Sequence, residues 1–330
     1  MQTIGIIGAG AWGTALAVTL TRAGRAPVLW AHEPDVAAGI NAGHRNPGFL
    51  PDVEIPASVR ATTDLAEALA ADAVLLAVPA QHLRAVCRTV AGLWRNDVPA
   101  VICAKGIERG SGALMTEVVA GSLPGVPLAI LSGPTFAIEV ARGLPTAITL
   151  ASRDLELARA LVAAIGSPTF RPYASDDPVG VAIGGAVKNV LAIACGVVEG
   201  KALGDNARAA LITRGLAELS RLVLAKGGRA ETCMGLSGLG DLALTASSRQ
   251  SRNYSVGFGL GQGKRLDQLL GGRRDVVEGV ATAPAVLSLA AQVNVEMPVS
   301  AAVAALLTGA RTIDETIGDL LARPFKRERA

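Results

Sequence analysis

The chain has 330 residues, half of them apolar and 18% charged, with a formal net charge of +3. That length suits two domains or one large one, and the apolar content allows a large core. The small, scattered charge excess excludes the basic face of a nucleic-acid binder, and aromatics at 3% exclude stacking surfaces as a main device.

Residues 3–7 form an apolar run predicted as a strand, and Gly8-Ala9-Gly10-Ala11-Trp12-Gly13 follows at once. Residues 12–23 then show a helical pattern. Strand, G-x-G-x-x-G turn and helix make the first half of a Rossmann unit: Gly8 for the tight turn, Gly10 for close approach of a pyrophosphate, Gly13 for helix–strand packing. The helix N-terminus offers N–H groups and a positive dipole end to phosphates. Strands are predicted at 26–30, 73–78, 100–104, 128–131, 146–151 and 169–173. Helices are predicted at 64–70, 81–90, 113–120, 136–142 and 154–165. The continuous apolar run at 73–78 is that of a parallel strand buried on both faces. This alternation predicts a doubly wound parallel sheet.

The pattern changes near Pro178. Helices are predicted at 179–198, 207–226, 282–293, 300–307 and 313–321, with a glycine-rich segment at 235–263 interrupting them. The fold expected is α/β: a Rossmann domain over residues 1–178, then an all-helical domain over 179–330 that carries substrate binding and catalysis. The stretch 179–198 is nearly long and apolar enough to span a bilayer, but Lys188 and Asn189 at its centre favour a buried helix over stable membrane insertion. The basic tail 323–329 reads as a solvated terminus. The four cysteines are widely spaced and read as buried thiols, the three histidines lack metal-ligand spacing, and no signal peptide is recognised, so a cytoplasmic, metal-free protein is expected. The many apolar helices of the second half suggest a homodimer.

The tip of the second strand reads Leu29-Trp30-Ala31-His32-Glu33. An NAD enzyme usually carries an acid there for the ribose hydroxyls. His32, with Arg45 from the following loop, suits a 2′-phosphate, while Glu33 pulls back towards NAD. The balance leans to NADP, and His32 as an ordinary loop residue is the competing reading.

Lys188 stands mid-helix in apolar surroundings. Burial of an ammonium is costly and depresses its pKa, so it either snorkels or works in a cleft. Gly184 and Gly185 on its face, with Ala192 one turn on, predict a bare surface that a small ligand could approach. Lys105 follows a strand, where ligand sites of α/β sheets form. Asp241 sits in a glycine-rich loop, and Ser251-Arg252-Asn253 suits a phosphate or carboxylate. Together they suggest an anionic substrate.

On these blocks the chain resembles the bacterial NAD(P)-dependent glycerol-3-phosphate dehydrogenases: 8–15, 132–137 (Ser-Gly-Pro-Thr-Phe-Ala), 184–190 (Gly-Gly-Ala-Val-Lys-Asn-Val), 206–215, 238–242, 251–253 and 277–279. The resemblance implies interconversion of dihydroxyacetone phosphate, a small phosphorylated three-carbon substrate, with sn-glycerol 3-phosphate for glycerophospholipid synthesis. It implies Lys188 as the catalytic acid/base. It implies Lys105, Gly133, Thr135, Asp241, Ser251, Arg252 and Asn253 around the substrate. Gly8, Gly10, Ala11, Trp12, Gly13, His32, Lys105, Ala137, Arg252, Val276 and Glu278 would meet the nucleotide. Ala11 stands where relatives often have Ser, and Ile138 where they often have Lys. Two other functions compete: another two-domain dehydrogenase of 2-keto or 3-hydroxy acids, and a nucleotide sensor without chemistry.

Overall fold

The computed structural model describes residues 1–272, 276–324 and 327. Most of the basic tail therefore lies outside the described residues. Eight strands form one sheet: β1 (Thr3–Ile7), β2 (Ala26–Trp30), β3 (Arg60–Thr62), β4 (Ala73–Leu76), β5 (Ala100–Ile102), β6 (Leu128–Ser132), β7 (Thr146–Ala151) and β8 (Phe170–Ser175). Their spatial order is β3-β2-β1-β4-β5-β6-β7-β8. The chain reverses its winding between β1 and β4, which opens a crevice at the carboxyl ends of these strands.

β1 to β6 are parallel, as expected, but β7 runs antiparallel to β6 and β8 runs parallel to β7. Between β6 and β7 lies the helix Ala137–Ala141, after which the chain runs back beside β6 instead of crossing to the far end of the sheet. β3 was not expected either: three residues beginning at an exposed Arg60 carry no usable alternation.

Alternation divides the sheet residues between two cores. Ile4, Ile6, Leu75, Val101 and Leu131 pack on one face with the first helix, Ala11–Arg22. Ile7, Val74, Leu76, Ile102 and Ile130 point the other way and share one core with Val181, Ile183, Val190 and Leu191 of the helix Pro178–Gly200. That central helix is long and apolar enough to cross a membrane, yet its apolar stretch is wholly buried inside the protein. All four cysteines are free and buried.

The segment 235–263 is a correction to the sequence expectation: it folds as one π turn, Leu236–Gly240, and the helices Asp241–Thr245 and Arg252–Gly261. Glycine costs about 1 kcal/mol in a helix interior, which made this stretch read as a break. Here the glycines let two helices touch. A Cβ on Gly196 would lie 2.1 Å from the Tyr254 carbonyl oxygen, and one on Gly257 would lie 2.0 Å from that of Ile193.

Buried Glu218 accepts hydrogen bonds from Val299 N, Ser300 N and Ser300 Oγ at the start of the helix Pro298–Thr308. Its charge also meets the positive end of that helix. Glu218→Ala leaves those donors buried without an acceptor and is expected to cost about 2 kcal/mol. Denaturant unfolding measures this, and a midpoint equal to wild type would remove Glu218 as a cap.

Candidate active site

The glycine turn has the geometry its spacing requires. Gly8 has φ +115°, and a Cβ there would lie 2.8 Å from the Ala77 carbonyl oxygen. A Cβ on Gly13 would meet the Gly8 oxygen at 1.8 Å, so the first helix packs against the turn at van der Waals limits. A Cβ on Gly10 would meet nothing within 4 Å. Gly10 caps the first helix without a side chain, which leaves its first N–H groups to a ligand. Ala11 and Trp12 open that helix, and the half-buried Trp12 has an indole N–H with no protein partner. Gly8 N donates to Trp30 O (3.1 Å), so the tip of β2 adjoins the turn. Exposed His32 lies there, its ring tilted against Trp30 at 5.9 Å. Glu33, Asp35, Val36 and Phe49 line a neighbouring cavity of about 350 Å³. An open floor at Gly10, an uncapped helix start and an unpaired indole N–H fit a dinucleotide.

A second centre joins the two halves of the chain. Lys105 leaves the carboxyl end of β5, and its Nζ donates to Gly133 O (2.9 Å) and Asp241 Oδ2 (2.7 Å). Lys188, on the central helix and 7% exposed, lies 3.0 Å from Asp241 Oδ1. Its Nζ also donates to Thr245 Oγ1 (2.9 Å), whose hydroxyl donates on to Asp241 Oδ1 (3.2 Å). Asp241 is fully buried. One carboxylate thus holds one ammonium from each half, and each lysine keeps one of its three N–H bonds for something else.

Burial pushes the Lys188 pKa down, the charge of Asp241 pushes it up, and nearby Lys105 and Arg252 push it down again; it settles at about 8. Burial alone would raise the Asp241 pKa, but the two ammonium groups hold it below the usual carboxylate range.

The chain positions this centre by short-range devices. Asp177 caps the central helix through Gly180 N and also accepts from Arg229 N and Thr232 Oγ1. The segment it anchors leads into the π turn, closed by Gly240 N to Gly235 O (3.1 Å), and Asp241 follows directly. The bare face expected beside Lys188 is filled, which corrects the sequence expectation. A Cβ on Gly184 would lie 2.6 Å from the Ser237 oxygen, one on Gly185 would lie 2.5 Å from Ser132 Oγ, and Ala192 is buried. These glycines admit the π turn and β6, not a ligand.

Of the remaining predicted residues, Gly133, Ser251 and Asn253 are buried, while Arg252 and Val276 are exposed. Thr135 Oγ1 donates to Gly133 O, which Lys105 also reaches, and Ala137 opens the short helix after β6. Ser251 caps the helix Arg252–Gly261 through Tyr254 N. Exposed Arg252 lies close enough that its charge lowers both the Lys188 and Glu278 pKa values. Asn253 donates to Asn189 Oδ1 (2.9 Å) and accepts from Gly279 N (2.8 Å), which ties the central helix to the helix Glu278–Gln292. Glu278 Oε1 accepts from Ala80 N (3.0 Å) after β4; its other oxygen has no protein partner, and burial raises its pKa. Val276 is exposed just before that helix. Thr245 and Asn189 were not picked out by sequence reasoning as site residues. Thr245 lies four residues after Asp241, on the same helix face, which was the available signal.

Two family models cover the chain: the N-terminus of NAD-dependent glycerol-3-phosphate dehydrogenase over residues 3–158 and its C-terminus over 177–318. The chain belongs to this family. It is 62% identical over 326 residues to a glycerol-3-phosphate dehydrogenase [NAD(P)+] of Rhodospirillum rubrum, covering 98% of this chain and 93% of that protein. It is 55% identical to one of Caulobacter vibrioides, covering 99% of both. Among solved structures, the glycerol-3-phosphate dehydrogenase of Coxiella burnetii superposes with a TM-score of 0.93 at 39% identity, covering 98% of this chain and 99% of that one. The Rossmann sheet and helical second half of this family are therefore those of the present chain.

Proposed function

We propose that the protein interconverts dihydroxyacetone phosphate and sn-glycerol 3-phosphate with NAD(P)H, and that residues 1–178 supply the Rossmann turn for the nucleotide while 179–330 carry the catalytic lysine and complete the nucleotide site. The observation that carries the reading is the Lys105–Asp241–Lys188 triad, anchored at the carboxyl end of β5, two strands across the sheet from the β1 that feeds the glycine turn. Gly8, Gly10, Ala11, Trp12, Gly13, His32, Lys105, Ala137, Arg252, Val276 and Glu278 would hold the dinucleotide. When bound, it supplies the hydride that converts the C2 carbonyl to an alcohol.

The chain's own residues do the rest. The Lys188 ammonium donates a hydrogen bond to the carbonyl oxygen and then its proton to the alkoxide that forms; a positive donor in a dry site stabilises that charge more than water can. Asp241 fixes the Nζ position with Thr245. Lys105 adds a second positive charge, and Gly133, Thr135 and Ser251 shape the wall. Arg252, with Asn253, grips the phosphate and so holds the reacting carbon in line. In the reverse direction neutral Lys188 takes the hydroxyl proton.

His32 favours a 2′-phosphate, while Glu33 and Asp35 at the adjacent cavity oppose it. Both dinucleotides are therefore accepted, with rates within about tenfold of each other, a difference of about 1.4 kcal/mol. NADPH keeps the small advantage read from the strand tip. The protein is further read as a cytoplasmic homodimer making glycerol 3-phosphate for phospholipid synthesis, the dimer being read from the many apolar helices of the second half.

The test is NADPH oxidation with dihydroxyacetone phosphate, with NADH in parallel and with dihydroxyacetone as the unphosphorylated control. Turnover that ignores the phosphate, or none, overturns the reading. Arg252→Ala is expected to raise KM for dihydroxyacetone phosphate by about tenfold or more, the value of a lost charged hydrogen bond. An unchanged KM would take Arg252 out of the phosphate site.

A further inference from the structure

Asn46 lies in the irregular chain between the helix Pro34–Gly43 and β3, and it is fully buried. Its own backbone is held tightly. Phe49 N and Leu50 N both donate to Asn46 O (3.2 and 2.8 Å), closing a turn over Pro47-Gly48, and Ile55 N donates to His44 O (2.9 Å). Leu50, Val53 and Ile55 anchor the segment in the same core as Ile4 and Leu16. From this fixed base the Asn46 amide nitrogen donates to Ala9 O (2.8 Å) and Thr14 Oγ1 (2.9 Å). Thr14 Oγ1 also faces Ala9 O (3.4 Å). Both amide hydrogens of Asn46 are thereby used on the glycine turn and the first turn of the helix behind it. Its Oδ1 is buried without a protein partner, so the amide orientation follows from the nitrogen side alone: reversed, its oxygen would face the Ala9 oxygen.

The Ala9 carbonyl is where a phosphate site can fail. A dinucleotide turn works when N–H groups face the anion and carbonyl oxygens face away. The Ala9–Gly10 peptide precedes a residue with no Cβ and open space around it, so little steric resistance keeps this plane from rotating. Rotation would aim an oxygen at the pyrophosphate. We infer that Asn46 is a positioning residue for cofactor binding: its amide holds the Ala9 carbonyl inward, which keeps the Gly10 N–H of the same peptide turned to the pyrophosphate, beside the uncapped N–H groups of Ala11 and Trp12. The inference rests on the glycine turn being the dinucleotide site. Asn46 acts from behind the turn, 37 residues along the chain from Ala9.

ADP-ribose is the probe, because it carries the pyrophosphate without the reacting ring. Asn46→Ala is expected to weaken ADP-ribose and NADPH binding by about tenfold or more. At saturating cofactor, kcat and the KM for dihydroxyacetone phosphate are expected to stay within about twofold of wild type. Damage to the fold alone would instead lower kcat and raise both KM values together. If alanine lowers the melting temperature by more than about 10 °C, Asn46→Ser, which keeps one donor, decides the matter with an intermediate loss of ADP-ribose affinity. ADP-ribose affinity within twofold of wild type in either folded variant, or a loss shared equally with dihydroxyacetone phosphate, overturns the inference. A wild-type protein that binds ADP-ribose but does not reduce dihydroxyacetone phosphate would overturn the proposed reaction and leave this role for Asn46 open to the same binding comparison.

Discussion

Lys188→Ala is expected to lower kcat for dihydroxyacetone phosphate reduction by about 10²-fold or more, the usual weight of a general acid, with cofactor binding nearly unchanged. The reason is geometric as much as chemical. Lys188 Nζ is held by Asp241 and Thr245 in a site almost closed to water. Its pKa of about 8 fixes the direction of the pH dependence. Reduction needs the protonated amine, so its rate falls as pH rises through about 8. Oxidation of glycerol 3-phosphate needs the neutral amine, so its rate rises through the same range. Alanine removes both limbs. A variant that turns over near the wild-type rate, or a wild type whose two directions share one pH trend, would disprove the acid/base role.

Asp241→Asn should be nearly as damaging, and for a different reason. The carboxylate sits between two ammonium groups, and its loss leaves the buried Lys188 and the half-buried Lys105 with no counter-charge between them. Removing one partner of a buried ion pair costs about 3–5 kcal/mol, because the remaining charge stays desolvated. Part of that cost is relieved by deprotonation of Lys188, so its pKa falls further below 8 and the reductive rate begins to fall at lower pH. kcat is expected to drop by about 10²-fold at neutral pH, within the general-acid range. Rates in both directions across pH, set beside a denaturant curve, measure the two effects. A variant with an unshifted profile and full stability would mean that Asp241 does not hold the lysines.

How much of this was legible in sequence depended on distance along the chain. The glycine turn was readable because its three steric demands fall within six residues, and each appears at Gly8, Gly10 and Gly13. Lys188 was readable because an ammonium inside an apolar helix is anomalous on its face. The triad was not readable as a unit. Lys105 and Asp241 are 136 residues apart, and no local pattern says that one carboxylate serves both lysines. Gly184 and Gly185 show how a correct observation led to the wrong consequence: small residues did mark a close approach, but of the π turn and β6. The helix Arg252–Gly261 was missed because helix propensity counts glycine as a loss and carries no credit for the neighbour it admits. Asn46 left no signal, since its meaning lies in two acceptors far upstream.

The single core running from one sheet face into the central helix also governs how a ligand gets in. Hinging the two halves apart would strip the packing of the central helix against β6, where Gly185 meets Ser132, and break the core they share, so wholesale gaping is energetically remote. Ligands must then enter and leave between halves that stay packed together. For protein engineers, the same seam means that grafting another enzyme's helical half onto this sheet transplants half a jigsaw, and that the matching face must be recut with it.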